Sequence, residues 1–442
     1  MTGSRLSVPD NPRSSSDPEI LRRAEDVRAH TLRIVAETPV FDMHTHLFPP
    51  AFADLSRWGI DSLLTYHYLV AEVMRAADVR PADFQQMPQQ AQADLIWDAL
   101  FVRSTPLSEA TRGVVAVMSA LGLDPSRPDL REAREFFNDT RAEQQVDLVF
   151  ERARVSAVVM TNDPFDPGEA ALWQKGRPAD SRFKAALRID PLLNDWSTAR
   201  RALSAAGYSA GADVDDRAMA DARRFIDDWI ARMDPLYLAV SLPDDFAWPE
   251  DSPRGRLLEH VVLPACRDHR LPFAMMVGVR RAVNPALRDA WDGVGRADVS
   301  AIHRLCRVHP DNRFLVTMLS RENQHELCVA ARKFANLMPF GCWWFLNNPS
   351  IVSEITRERL ELLGPTFIPQ HSDARVLEQL LYKWPHSRRD IASALADQYV
   401  GVVENGRPVA VSDIVRDVRR LFSENFLNWT GRSTAAAAAP AV

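Results

Sequence analysis

Short apolar runs recurring between amphipathic stretches constrain this chain more than any other feature. Eight of them, at 40–44, 155–161, 183–189, 236–242, 272–278, 313–319, 337–345 and 367–371, are rich in Val, Phe and Met and bounded by turn or polar residues. Runs of this kind read as strands. Helical stretches such as 252–269, 299–309 and 321–335 separate most of them, and strands alternating with helices imply βαβ units joined in a parallel sheet. Eight such units predict an α/β fold, a distorted (β/α)8 barrel of the TIM type. The spacing is uneven in one place. Residues 48–154 lie between the first two runs and read as helical at 60–76, 87–101, 107–121 and 131–154. That is a large insertion on the face where barrel active sites lie. Residues 374–429 add further helices, expected on the outside of the barrel.

Composition agrees with one globular barrel domain over 18–432, flanked by a Ser/Pro/Asp-rich segment at 1–17 and a loose tail at 433–442, both expected to be disordered. A net charge of −6 and a pI near 6.0 argue against a nucleic-acid partner or an anionic membrane surface. The N-terminus lacks the apolar core of a signal peptide, and no run of 18 apolar residues could span a bilayer. Cys266, Cys306, Cys328 and Cys342 show no Cys-x-x-Cys spacing, which fits a reducing cytoplasm better than a disulfide scaffold.

The sharpest local signal is Asp42-Met43-His44-Thr45-His46-Leu47, directly after the first run. On a strand, residues i and i+2 share a face, so both imidazoles can point into the barrel mouth as ligands for a divalent metal. Without such a metal they would be two ordinary core or surface histidines. The last run leads into His371-Ser372-Asp373-Ala374-Arg375. Strand 8 of a closed barrel lies beside strand 1, so Asp373 can complete a His-His-Asp site with open coordination positions. Asp373 also suits a helix N-cap, a compatible role.

A pair of histidines on strand 1 with an aspartate after strand 8 resembles the amidohydrolase superfamily, and the chain resembles the uronate isomerase (glucuronate isomerase) family from about residue 30 to 429. Six further segments carry the likeness in order: Tyr66-His67-Tyr68, Thr161-Asn162-Asp163-Pro164, Leu187-Arg188-Ile189-Asp190, Ser320-Arg321-Glu322-Asn323, Gly341-Cys342-Trp343-Trp344-Phe345 and Ser372-Asp373-Ala374-Arg375. Two positions depart from the family pattern. An Asp-His-Gly turn after strand 4 is replaced by Ser241-Leu242-Pro243-Asp244-Asp245, and a His-x-Gly at strand 5 by Met275-Met276-Val277-Gly278. The resemblance implies a metal-dependent aldose–ketose isomerase of a hexuronic acid, working through a cis-enediol. It also implies roles for Asp373, Tyr68, His67 and Arg375 in catalysis. A metal-dependent hydrolase, hydratase or lyase acting on another carboxylated small molecule is the alternative, and a non-catalytic relative a third reading.

A uronate presents a carboxylate, which a guanidinium fork holds well. Arg188, Arg280, Arg321 and Arg375 follow strands 3, 5, 6 and 8 and are candidates to bind it, with surface ion pairs as the competing role for Arg280 and Arg321. Trp343 is a further candidate binding residue, since only one of the neighbours Trp343 and Trp344 can face inward on a strand. No role is assigned to His386, for which a plain surface position is the simplest reading. The expected cofactor is one divalent ion at His44, His46 and Asp373, Zn2+ first and Mn2+ second. The expected partners are a small carboxylated sugar-like substrate and further copies of the chain as a homo-oligomer.

Overall fold

The computed structural model describes residues 19–432, so the expectations for 1–17 and 433–442 lie outside the described residues. Seven apolar runs form parallel strands in barrel order: β1 (Val40–Thr45), β2 (Val155–Asn162), β3 (Phe183–Arg188), β4 (Leu238–Pro243), β5 (Phe273–Arg280), β6 (Phe314–Met318) and β7 (Leu337–Pro339). Each pairs with the next in sequence. A two-residue strand, Gly293–Val294, folds back antiparallel on β5.

Side-chain alternation sorts the strand residues into two apolar cores. On β6, Phe314, Val316 and Met318 join the layer under the helices, whereas Leu315 faces the barrel interior with Met43, Val159, Ala186, Ala239 and Ala274. Gly278, with φ of +114°, interrupts the alternation on β5, and Met276 and Val279 both reach the interior core.

The eighth run departs from expectation. Instead of a strand at 367–371, a single parallel bridge joins Phe340 to Ile368, and the run expected at 337–345 is a strand only as far as Pro339. Pro339, Pro365 and Pro369 carry no amide hydrogen, so a continuous ladder cannot form here. Gly341 permits the close approach that replaces it: a Cβ at this position would lie 1.8 Å from His371 Nδ1. The barrel still closes through backbone bonds. Gly341 N–H donates to Ile368 O (2.9 Å), Asp373 N–H to His44 O (3.2 Å) and His46 N–H to Ala374 O (2.7 Å).

The insertion is helical, as its sequence predicts, but more broken. The helix expected over 60–76 is two, Ile60–Leu64 and His67–Ala76, parted where Tyr66 takes an extended conformation. The one expected over 131–154 is likewise Arg131–Asn138 and Ala142–Ala153. Residues 374–429 lie mostly outside the barrel, with Leu380–Glu404 packed on Ala24–Glu37 and Pro349–Leu363. Their end does not. Phe426 enters the base of the barrel, its ring 5.6 Å from Phe41 and 6.0 Å from Tyr237. No described helix is long and apolar enough to cross a membrane.

Phe426→Ala removes a fully buried aromatic from that base and is expected to cost about 3–5 kcal/mol of stability. Chemical denaturation measures the loss, and metal binding at the opposite end of the barrel should persist below the transition.

Candidate metal centre and active-site cavity

β1 and the closing segment bring the predicted triad together. One ligand atom from each of His44, His46 and Asp373 lies within 4.8 Å of the others, a group that could hold one metal ion. The Nε2 atoms of His44 and His46 stand 3.6 and 3.3 Å from Asp373 Oδ1. Asp373 reaches them from a left-handed backbone conformation, φ 51°, which aspartate tolerates better than most residues.

Two hydroxyls fix the histidine tautomers. Tyr237 Oη donates to Met43 O (2.7 Å), so it must accept at its 3.1 Å contact with His44 Nδ1. Thr161 Oγ1 donates to Thr45 O (3.1 Å) and accepts, by the same logic, from His46 Nδ1 at 2.8 Å. Each ring therefore carries its proton on Nδ1 and turns an Nε2 lone pair toward Asp373. Burial lowers the pKa of His44 to about 3 and that of His46 to about 4, so both are neutral at pH 7. Burial alone would push the Asp373 carboxyl up, but the field of Arg375 opposes it, and the carboxyl is held well below the usual carboxylate range. Lone pairs and an anion thus converge in a buried space, and His44 Nε2 and Asp373 Oδ1 have no hydrogen-bond partner among the described residues. Such a donor set fits a divalent cation bound by three protein ligands, the arrangement that leaves coordination positions open. On β5, Met276 lines the same cavity where a family histidine is expected.

Asp42, the first residue of the motif, has a role the sequence does not advertise. Its two oxygens accept from Ser372 N–H (3.1 Å) and Trp384 Nε1–H (2.8 Å), pinning the closing segment to β1. Burial raises its pKa to about 6 against those hydrogen bonds.

The triad opens into a cavity of about 240 Å3 that also meets Arg188, Arg375, Trp343, Trp344 and Trp291. Arg375 and Asp289 are shared with an adjoining chamber of about 600 Å3, walled by Tyr66 and His67 from the insertion. Arg188 is not a free fork: its Nε and Nη2 bind Asp190 at 2.8 and 2.9 Å, leaving its outer N–H groups for a ligand. Tyr68 lies behind the chamber wall, stacked on Phe345, with its hydroxyl buried.

Two expectations require correction. Arg280 and Arg321 do not reach the cavity; they are 58% and 55% exposed and pair with Asp244 and Glu354. Arg281 lines the cavity in place of Arg280, tied to Asp292. Both Trp343 and Trp344 line it, because the chain has left strand geometry by then and Trp344 sits at φ 50°. His386, to which the sequence assigns no role, is buried. Tyr237 and Trp291 were missed outright. The only signal for Tyr237 is its place just ahead of β4, two residues before the inward-facing Ala239.

A uronate isomerase from Bacillus halodurans is 52% identical to this chain and superposes with a TM-score of 0.91, over 93% of this chain and 98% of that one. This chain belongs to the uronate isomerase family. It is therefore an isomerase on a TIM-type α/β barrel. A uronate isomerase from Thermotoga maritima (13% identity, TM-score 0.72, 92% of this chain and 97% of that one) shares the fold. So does a glucuronate isomerase from Caulobacter crescentus (16% identity, TM-score 0.71, 95% and 97%). The sequence matches no protein-family profile and no curated protein.

Tyr237→Phe strips the acceptor from His44 Nδ1 and is expected to weaken metal affinity about 10–100-fold. Competition with a chelator measures it, and Thr161→Val should act on His46 in the same way.

Proposed function

We propose that this enzyme interconverts a hexuronate aldose, of the glucuronate or galacturonate class, and its 2-ketose through a cis-enediol intermediate. The observation that carries this reading is the uronate isomerase from Bacillus halodurans, aligned over nearly the whole of both chains. In the reaction C2 of the open-chain aldehyde loses a proton and C1 gains one. The Asp373 carboxylate, ionised and facing the cavity, is the proposed base at C2. Arg375 spans both chambers and would hold a substrate oxygen at either. Arg188, fixed by Asp190, presents its remaining N–H groups to the substrate carboxylate, and Trp343 and Trp344 give the sugar carbons an apolar wall.

His44, His46 and Asp373 would hold the divalent ion, Zn2+ first and Mn2+ second on donor type. When bound there, it supplies positive charge beside the oxygens that become negative in the enediolate. His67 and Tyr66 complete the wall on the insertion side, with Tyr68 behind them a candidate proton donor. Thiols at all four cysteines support a reducing cytoplasmic setting for a step of sugar-acid metabolism, carried out by a homo-oligomer.

Proton NMR of uronates incubated with the metal-loaded protein tests the assignment directly: ketose signals are expected, and none with any hexuronate would refute it. Asp373→Asn separates holding the ion from moving the proton. With metal content restored, kcat is expected to stay down by about 10²–10⁴-fold. Arg188→Lys keeps the charge but loses the pairing with Asp190 that aims it, and KM should rise about tenfold or more, in line with the 1.5–3 kcal/mol of a hydrogen bond to a charged group.

A further inference from the structure

Behind the helix that carries Tyr68, five polar atoms are buried without a hydrogen-bond partner among the described residues: Tyr66 Oη, Tyr68 Oη, Lys383 Nζ, Glu109 Oε1 and His386 Nε2. They form a file. The Tyr66 and Tyr68 rings lie 4.9 Å apart, and Lys383 Nζ is 5.9 Å from the Tyr68 ring and 5.7 Å from that of Tyr382. Tyr382 in turn is 6.2 Å from the His386 ring, and His386 Nδ1 is 4.0 Å from Glu109 Oε1. Tyr66 walls the larger active-site chamber, while Glu109, Tyr382 and His386 line a separate cavity of about 450 Å3. Arg112 and Arg389 face that outer end, and Arg375 and Asp373 the inner one.

Lys383 is one of four lysines in the chain and is only 1% exposed. An ammonium with no direct partner at such a depth costs several kcal/mol unless something solvates it. Burial lowers its pKa and raises that of Glu109, which brings the two groups' proton affinities toward each other. Pro385 interrupts the helix Leu380–Glu404 and leaves the Leu381 carbonyl without its helical amide, a further acceptor beside the file. Buried polar groups left without a direct partner are the kind that single water molecules satisfy and bridge.

We propose that Lys383, Glu109 and His386, linked by water, exchange protons between the Tyr68 side of the active site and the outer cavity. The proposal rests on the isomerase reading. When the C2–H bond breaks, its proton passes outward along the file to solvent; a solvent proton returns the same way and forms the C1–H bond. Charge and atoms balance with no other reagent. Without the file, the proton removed from C2 is the one delivered to C1.

The test is turnover of a uronate in heavy water, with the deuterium fraction at C1 of the ketose read by NMR at early times. The holoenzyme is expected to place deuterium at C1 from the outset. Lys383→Met and Glu109→Gln should each lower that fraction several-fold while bound metal and KM hold. His386→Leu, at the outer end, should do the same and covers the case in which Lys383→Met does not fold. A deuterium fraction unchanged in the folded variants, or wild-type product without deuterium at C1, overturns the proton path and leaves the isomerase reading standing. Absence of any turnover by wild type overturns that reading, and this proposal with it.

Discussion

The return of the closing segment onto β1 is the contact on which the site depends. Seven strands alone would leave an open sheet with the histidines at its edge. Asp42 prevents this by holding Ser372 and Trp384 at once, while two backbone bonds tie Asp373 and Ala374 to His44 and His46. The two aspartates on this seam live in different surroundings. Asp42 meets two neutral N–H donors in an apolar setting and is pushed up in pKa, whereas Asp373 meets imidazoles and arginines and stays ionised. One carboxylate is spent on architecture, which leaves the other for chemistry.

Orientation of the triad is likewise delegated. Neither His44 nor His46 chooses its tautomer; the hydroxyls of Tyr237 and Thr161 choose it, since each has already given its own proton to a β1 carbonyl. The geometry at the mouth is therefore set by the strands beneath it, and the loops contribute the walls. The same division appears at Arg188, whose direction is set by Asp190 before any ligand arrives.

How much of this could be read from the sequence follows from what each feature depends on. The barrel and the pairing of His44, His46 and Asp373 were legible because they follow from strand periodicity and from strands 1 and 8 being neighbours in any closed barrel. Arg280 was misplaced because the direction of a side chain past Gly278 depends on a backbone dihedral that the sequence pattern does not encode; Arg281 lines the cavity instead. The eighth strand failed where Pro339, Pro365 and Pro369 withdraw donors, and with it failed the rule that only one of Trp343 and Trp344 faces inward. The orienting roles of Tyr237 and Thr161 stayed hidden because a single hydroxyl in an apolar strand looks like any other half-polar core position until its partner, distant in the chain, is known.

Phe426 in the base of the barrel and Asp373 at its mouth share a consequence for how the protein is made. Both ends of the barrel are finished by residues 372–426 meeting β1: Phe426 against Phe41 below, Ser372 and Asp373 against Asp42 and His44 above. A nascent chain that has produced β1 through β7 has neither a filled base nor a third ligand. Its paired histidines and unfilled interior must wait until residues 372–426 have emerged, a span during which open strand edges are exposed to aggregation. The active site is thus completed only after the whole β1–β7 sheet has been made.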